Sequence, residues 1–281
     1  MTETRFGTVL VEAAEAGHAV GAFTCYDLLG FEAVVRAAQA RAAPVIVLIG
    51  PGSFAARGGE RLLAAFRAAA AQARVPVLVQ LDHAADRELI ERAAAGGVDA
   101  VMADGSRLPY QENLAFSAAV AEELRPLGIA VEAELGRVEG DEDLAAQAAG
   151  GALTNPDEAA AFCSASGVDC LAVSIGNVHG HYASTPVLDW ERLKRLHGAG
   201  APLSLHGASG LADADVSRAV SLGIAKVNVN TELRAAYFGA LGLGLGARAE
   251  ALDLRGLGEA VIEAVADAVS AKLALLGWGR R

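Results

Sequence analysis

Short, predominantly apolar runs alternate with longer alanine-rich stretches along the whole chain. The apolar runs fall at 20–23, 44–49, 77–81, 100–103, 130–134, 170–174, 203–205 and 225–229. Strands without polar alternation are covered on both faces, as in a parallel sheet flanked by helices. The intervening stretches predict helices at 29–41, 58–74, 87–95, 109–124, 155–166, 190–196, 213–222 and 231–241. Their starts carry capping signals: Thr154 before Asn155-Pro156, Asp189 before Trp190, and Asp213 ahead of Val216. Eight βα units in series predict an α/β fold of the closed (β/α)8 TIM barrel type. Extra helices are expected at 4–16 and 258–275. An open doubly wound sheet is the alternative, but no glycine-rich dinucleotide fingerprint follows the first run. No linker divides the chain, so residues 1–281 are expected to form a single barrel domain.

One stretch breaks the rhythm. Gly136-Arg137-Val138-Glu139-Gly140-Asp141-Glu142-Asp143, continuing to Gly150-Gly151, is acidic, glycine-rich and aperiodic. It follows the fifth strand, which places it at the C-terminal mouth of a barrel. A loop of this length is either a functional lid or a solvated acidic connection.

Composition narrows the partners. The chain is 53% hydrophobic and only 5% aromatic, so its core is expected to be built from Ala, Val and Leu. A net charge of −11 without a basic cluster excludes nucleic acid as an expected partner. No run reaches the ~18 apolar residues that span a bilayer. Cys25, Cys163 and Cys170 form no CxxC pair and read as buried thiols of a reducing compartment. The expectation is a cytoplasmic, soluble protein.

Three of the six histidines stand at or just beyond strand ends: His83, His179 and His206. In a parallel barrel such ends share one face, where active sites lie. Three imidazoles with an open fourth position is the pattern of catalytic zinc. His181 is near enough to rival His179, whereas His18 and His197 fall outside the pattern. Asp82, Asp104, Glu134, Ser209, Asn228 and Thr231 belong to the same face. A second signal is glycine: Gly180 follows His179, and His206-Gly207-Ala208-Ser209-Gly210 precedes Lys226-Val227-Asn228-Val229-Asn230-Thr231 by one βα unit. Loops after the last two barrel strands commonly form a phosphate site, where amides and a helix N-terminus meet the anion. Metal beside phosphate suggests a phosphorylated carbonyl compound, with the metal stabilising an enediolate in reversible C–C cleavage. Asp82 and Glu142 are the candidate acid/base pair. Lys226 is the sole strand lysine that a Schiff-base mechanism could use.

These stretches resemble the class II, zinc-dependent ketose-bisphosphate aldolases, in the branch holding tagatose- and many fructose-bisphosphate aldolases. The similarity rests on LDHA at 81–84, DGSRLPYQEN at 104–113, VEAELGRVEGDED at 131–143, GVDCLAVSIGNVHGHY at 167–182, PLSLHGASG at 202–210 and KVNVNTELR at 226–234. The resemblance implies zinc on His83, His179 and His206, with Asp104 and Glu134 at a second or displaced metal position. It implies that Asp82 exchanges the C4-hydroxyl proton and that Glu142 moves the proton at the dihydroxyacetone-phosphate carbon. Gly180, Gly207, Ala208, Ser209, Asn228, Asn230 and Thr231 match the dihydroxyacetone-phosphate pocket, and Arg255 matches an arginine that reaches a neighbouring subunit's distal phosphate. A monovalent cation (Na+ or K+) near the phosphate and a homodimer or homotetramer are also implied. The chain departs from the family at Thr24-Cys25-Tyr26-Asp27, at Leu254 between Asp253 and Arg255, and at its C-terminus. The first departure lies towards the aldehyde half of the substrate.

The expected activity is cleavage of a fructose- or tagatose-type ketose 1,6-bisphosphate to dihydroxyacetone phosphate and an aldehyde such as glyceraldehyde 3-phosphate. The alternatives are the same chemistry on another ketose 1-phosphate, a metal-dependent hydrolase, and a non-catalytic sugar-phosphate binder.

Overall fold

The computed structural model describes residues 4–140, 147–148, 151–182 and 187–279. In chain order its elements are α1 (Arg5–Glu15), β1 (Val20–Thr24), α2 (Leu28–Arg41), β2 (Val45–Ile49), α3 (Pro51–Ala55), α4 (Gly59–Ala70), β3 (Val77–Ala84), α5 (Arg87–Ala95), β4 (Ala100–Ala103) and α6 (Tyr110–Leu124). Then come a 3-10 turn (Arg125–Leu127), β5 (Ala130–Leu135), β6 (Gln147–Ala148), α7 (Pro156–Ser166), β7 (Cys170–Val173) and β8 (His181–Tyr182). The chain finishes with α8 (Trp190–Leu196), β9 (Leu203–Leu205), α9 (Asp213–Ser221), β10 (Ile224–Val229), α10 (Thr231–Glu250) and α11 (Leu254–Leu275).

Eight parallel strands close in the order β1-β10-β9-β7-β5-β4-β3-β2, which is the predicted (β/α)8 barrel. The short β6 and β8 pair with each other outside it. Small side chains fill the axis: Ala22, Ala100, Ala130 and Ala225 pack with Ile46 and Leu78, and Phe6 and Leu10 of α1 join them from the N-terminal end. Two Gly-Val-Asp segments lock the strand starts. Asp99 and Asp169 each donate N–H to the preceding barrel strand, at Val79 and Val131, and take that residue's N–H on their carboxylates.

Several element boundaries depart from expectation: helix α11 begins at Leu254 rather than 258, β3 runs on to Ala84, and the short α3 was not expected. Helix α4 spans only Gly59–Ala70: a left-handed Gly58 precedes its first residue, and it ends four residues before the expected 74. Helix α9 is capped by Ala212, so Asp213 is its first helical residue rather than its cap. Thr154 is no cap either: the Asn155 side chain caps α7, while the Thr154 hydroxyl bonds Leu135 O and accepts from Ser174 N at 2.8 Å. Helix α10 continues past 241 to Glu250, its glycines notwithstanding, since α11 packs along it with Leu257 against Gly244. Among the described residues no helix is long and apolar enough to cross a membrane.

Candidate active site

The three predicted histidines converge at the C-terminal mouth of the barrel. His83 reaches it through an irregularity: the pairing of β3 with β4 shifts register between Leu81 and Ala84, and His83 sits at φ 44°. In a regular strand Asp82 and His83 would point to opposite faces. A bulge with a left-handed residue turns both towards the mouth, a local cost of the kind found where geometry serves a site. His206 follows β9 directly and is fully buried. His179 is set by a short bridge between Glu139 and Val178, its N–H donating to Glu139 O at 2.7 Å.

Ring centroids of His83 lie 4.8 Å from those of both His179 and His206. One nitrogen from each ring falls within 4.8 Å of the others, and a second group of His83, Asp104 and Glu134 meets the same criterion. His83 Nε2 and His206 Nδ1 stand 3.0 Å apart. Two nitrogens on one tetrahedral zinc would be separated by roughly 3.3 Å, given bonds of about 2.05 Å. The donor set and its spacing therefore fit zinc. Asp104 Oδ2 holds His83 Nδ1 at 2.8 Å, which leaves Nε2 for the cluster.

Electrostatics follow from crowding. Burial would lower His83, but the Asp82, Asp104 and Glu134 carboxylates raise it well above the ordinary histidine value. Burial and the Asp104 charge push Glu134 up to about 8. Glu134 also accepts from Val138 N at 2.6 Å, tying β5 to the loop that follows. Asp82 is buried, its Oδ2 accepting from Asn228 Nδ2 at 3.3 Å, and its Oδ1 meets no hydrogen-bond partner among the described residues. A cavity of about 370 Å³ opens over the cluster, lined by His83, Asp104, Ser106, Arg107, Arg137 and His179 among others.

The predicted phosphate loops do not line this cavity; they lie next to His206 and Asn228 in the chain. Ser209 Oγ lies 3.4 Å from Asn230 N and 3.5 Å from Glu232 N, so the loop holding Gly207, Ala208 and Ser209 faces the N-terminus of α10, where Thr231 begins the helix. Glu232 anchors this arrangement, accepting from Gly210 N at 3.2 Å and pairing with Lys272 at 2.9 Å. Gly207 has φ 64°, and a Cβ there would stand 2.0 Å from Val178 O, so the His206 loop rests on the backbone that carries His179 and Gly180.

Some expected residues are not brought together. Arg255 is exposed on the first turn of α11 and does not line the cavity. Glu142 lies outside the described residues, as does the His181 side chain. Asn230 is linked to Tyr26, whose hydroxyl is 3.0 Å from Nδ2 and 3.2 Å from Oδ1. Lys226 is fully buried, with Nζ 2.8 Å from Glu132 Oε2 and 2.6 Å from Asn228 Oδ1.

Sequence reasoning missed Gln80 and Glu132 and gave Lys226 only a Schiff-base role. Each stands two residues before a site residue on its own strand: Gln80 before Asp82, Glu132 before Glu134, Lys226 before Asn228. Period two puts each pair on one strand face, and that spacing was the available signal.

The pattern of the class II fructose-bisphosphate aldolases matches residues 4–280. Among solved structures, the YdjI aldolase from Escherichia coli K12 is 34% identical, with a TM-score of 0.87 over 98% of this chain and 97% of that one. A protein from Coccidioides immitis, provisionally described as a fructose-1,6-bisphosphate aldolase, is 32% identical, with a TM-score of 0.89 over 99% and 97%. The fructose-bisphosphate aldolase of Campylobacter jejuni, at 22% identity and a TM-score of 0.81 over 97% and 94%, shares the fold.

Proposed function

Because this chain belongs to the class II fructose-bisphosphate aldolase family, and so to the aldolase lyases, we propose that it cleaves a fructose- or tagatose-type ketose 1,6-bisphosphate with a zinc ion on His83, His179 and His206. The products are dihydroxyacetone phosphate and an aldehyde such as glyceraldehyde 3-phosphate. The observation that carries this reading is one mouth holding three histidines within 4.8 Å, a buried carboxylate at Asp82, and the 207–209 loop against the start of α10.

When bound, zinc supplies Lewis-acid polarisation of the ketose carbonyl. Asp82 takes the proton of the C4 hydroxyl as the C3–C4 bond breaks and C4 becomes the aldehyde carbon. Asn228 holds that carboxylate in place. The electron pair of the broken bond stays on the dihydroxyacetone-phosphate fragment, and Glu142 returns a proton to its carbon. Gly180, Gly207, Ala208, Ser209, Asn230 and Thr231 bind the phosphate through loop amides and the α10 N-terminus. Asp104 and Glu134 supply the second metal position. In a homodimer or homotetramer, Arg255 serves a neighbouring subunit's site.

The aldehyde end supports a second reading, the same chemistry on a different ketose 1-phosphate. Tyr26 belongs to the departing segment, and its hydroxyl reaches Asn230 of the proposed phosphate loops. The deciding experiment is turnover of the zinc-loaded protein on a panel of ketose phosphates, with dihydroxyacetone phosphate as the product detected. Cleavage of fructose or tagatose 1,6-bisphosphate establishes the first reading, and cleavage only of other ketose 1-phosphates establishes the second. Silence across the panel with zinc bound refutes both.

A further inference from the structure

Beneath the histidines the barrel axis carries a charge pair that the cleavage chemistry leaves unused. Glu132 of β5 and Lys226 of β10 are both fully buried. Glu132 Oε2 accepts from Lys226 Nζ at 2.8 Å and from Gln80 Nε2 at 2.7 Å, and Oε1 lies 2.9 Å from His206 Nε2. Lys226 also donates to Asn228 Oδ1 at 2.6 Å. Asn228 Nδ2 in turn lies 3.3 Å from both Asp82 Oδ2 and His206 Nδ1. The contacts form a closed ring that touches His206 on both sides.

Donor and acceptor types leave this ring one protonation pattern. Lysine only donates, so Asn228 must turn its carbonyl oxygen to Lys226 and its amino group to Asp82 and His206. An amino group facing His206 Nδ1 cannot accept a proton from it and so excludes N–H at that nitrogen, leaving its lone pair for the metal, and a carboxylate facing Nε2 requires a proton there. Both ends of the ring select the same tautomer. A buried ion pair is a weak stabiliser, commonly replaceable by apolar side chains of similar volume without loss of stability. Its contribution here is to the orientation of its neighbours.

We propose that Glu132, clamped by Lys226 and Gln80, is a positioning residue that fixes His206 with Nδ1 presented to the metal, and that Lys226 acts through Asn228 to hold Asp82 beside it; this rests on the zinc site proposed above. Carboxylate partners of ligating histidines set the ring and its tautomer, and their loss typically weakens metal binding about 10–100-fold.

Two variants test it: Glu132→Gln, and the double variant Glu132→Gln/Lys226→Met, which leaves no unpaired buried charge. Zinc affinity is measured by chelator competition, and the His206 tautomer by ¹⁵N NMR of the metal-free and zinc-loaded proteins. The expected result is an Nε2–H tautomer in the wild type and a mixed population in both variants. Zinc affinity should fall about 10–100-fold in both, even where the double variant melts like the wild type. A double variant with wild-type melting, tautomer and zinc affinity would overturn the positioning role alone. A wild type that takes up no zinc would overturn the metal site, and this inference with it, and that outcome is read before any variant is made.

Discussion

Gly207→Ala probes the contact that joins the two loops carrying His179 and His206. The new Cβ would lie 2.0 Å from Val178 O and 2.5 Å from its carbonyl carbon, at a residue whose φ is 64°. Both obstacles are backbone, so no side chain can rotate away. A left-handed conformation costs a non-glycine residue about 1–2 kcal/mol, and a forced overlap in a packed region typically adds about 1–3 kcal/mol. The sum is about 2–5 kcal/mol. Gly97→Ala is the control, because Gly97 has φ 79° but nothing within 4 Å of its Cβ position. It carries the conformational cost of about 1–2 kcal/mol alone. At roughly 2 °C per kcal/mol for a chain of this size, Gly207→Ala should melt about 4–10 °C below wild type, and Gly97→Ala about 2–4 °C below. Melting is followed on chelator-treated protein, so that metal binding adds nothing. A zinc titration then asks whether the ligands have moved: Gly207→Ala should bind at least about tenfold more weakly, in line with the loss of ligand support, and Gly97→Ala as wild type. If Gly207→Ala melts within the range of its control and binds zinc normally, the two loops are not locked by this approach and the reasoning fails.

Thr154→Val keeps the shape of a fully buried side chain but strips the hydroxyl shared by Leu135 O and Ser174 N. Leaving a buried N–H unpaired costs about 1–3 kcal/mol, so calorimetry should show a lower melting point, which Thr154→Ser restores. Asp82→Asn should remove turnover while equilibrium dialysis still finds zinc at wild-type occupancy; loss of the metal would instead make Asp82 a ligand support. Borohydride with substrate should leave the enzyme active, because Lys226 is buried against Glu132 and Asn228; trapped substrate on Lys226 would refute its assignment to the ring. Burial pushes the Cys163 thiol up to about 11 from 9.0. At pH 8 that leaves little thiolate, so in a disulfide-exchange assay of the native protein it should react more slowly than an exposed thiol.

The barrel was legible because its signals are local and repeated. Wholly apolar runs such as Val45-Ile46-Val47-Leu48-Ile49 have no other comfortable placement than between two helical layers. Boundaries blurred where packing overrode propensity. The glycines of α10 suggest an end near 241, but a long neighbour lying against the helix stabilises it beyond that point. Thr154 carries the right residue type for a cap and stands next to a real one. Its hydroxyl instead satisfies two backbone groups where β5 and β7 diverge, a task visible only once both strands are placed.

The site shows the same division more sharply. His83, His179 and His206 could be read from their positions after strands, yet strand periodicity alone turns Asp82 and His83 to opposite faces. What unites them is a register shift and a left-handed histidine, and neither leaves a mark in the sequence. Gln80, Glu132 and Lys226 were hidden for the opposite reason: charged and amide groups inside otherwise apolar runs look like interruptions of strands. In a closed barrel the inward face of every strand meets one axis, so such interruptions find each other there. A glutamate that would be intolerable alone becomes stable once a lysine, a glutamine and a histidine converge on it from three other strands or their ends. The polar residue two places before a predicted ligand is thus the position to examine in a chain of this architecture, since the pleat puts it directly below the site.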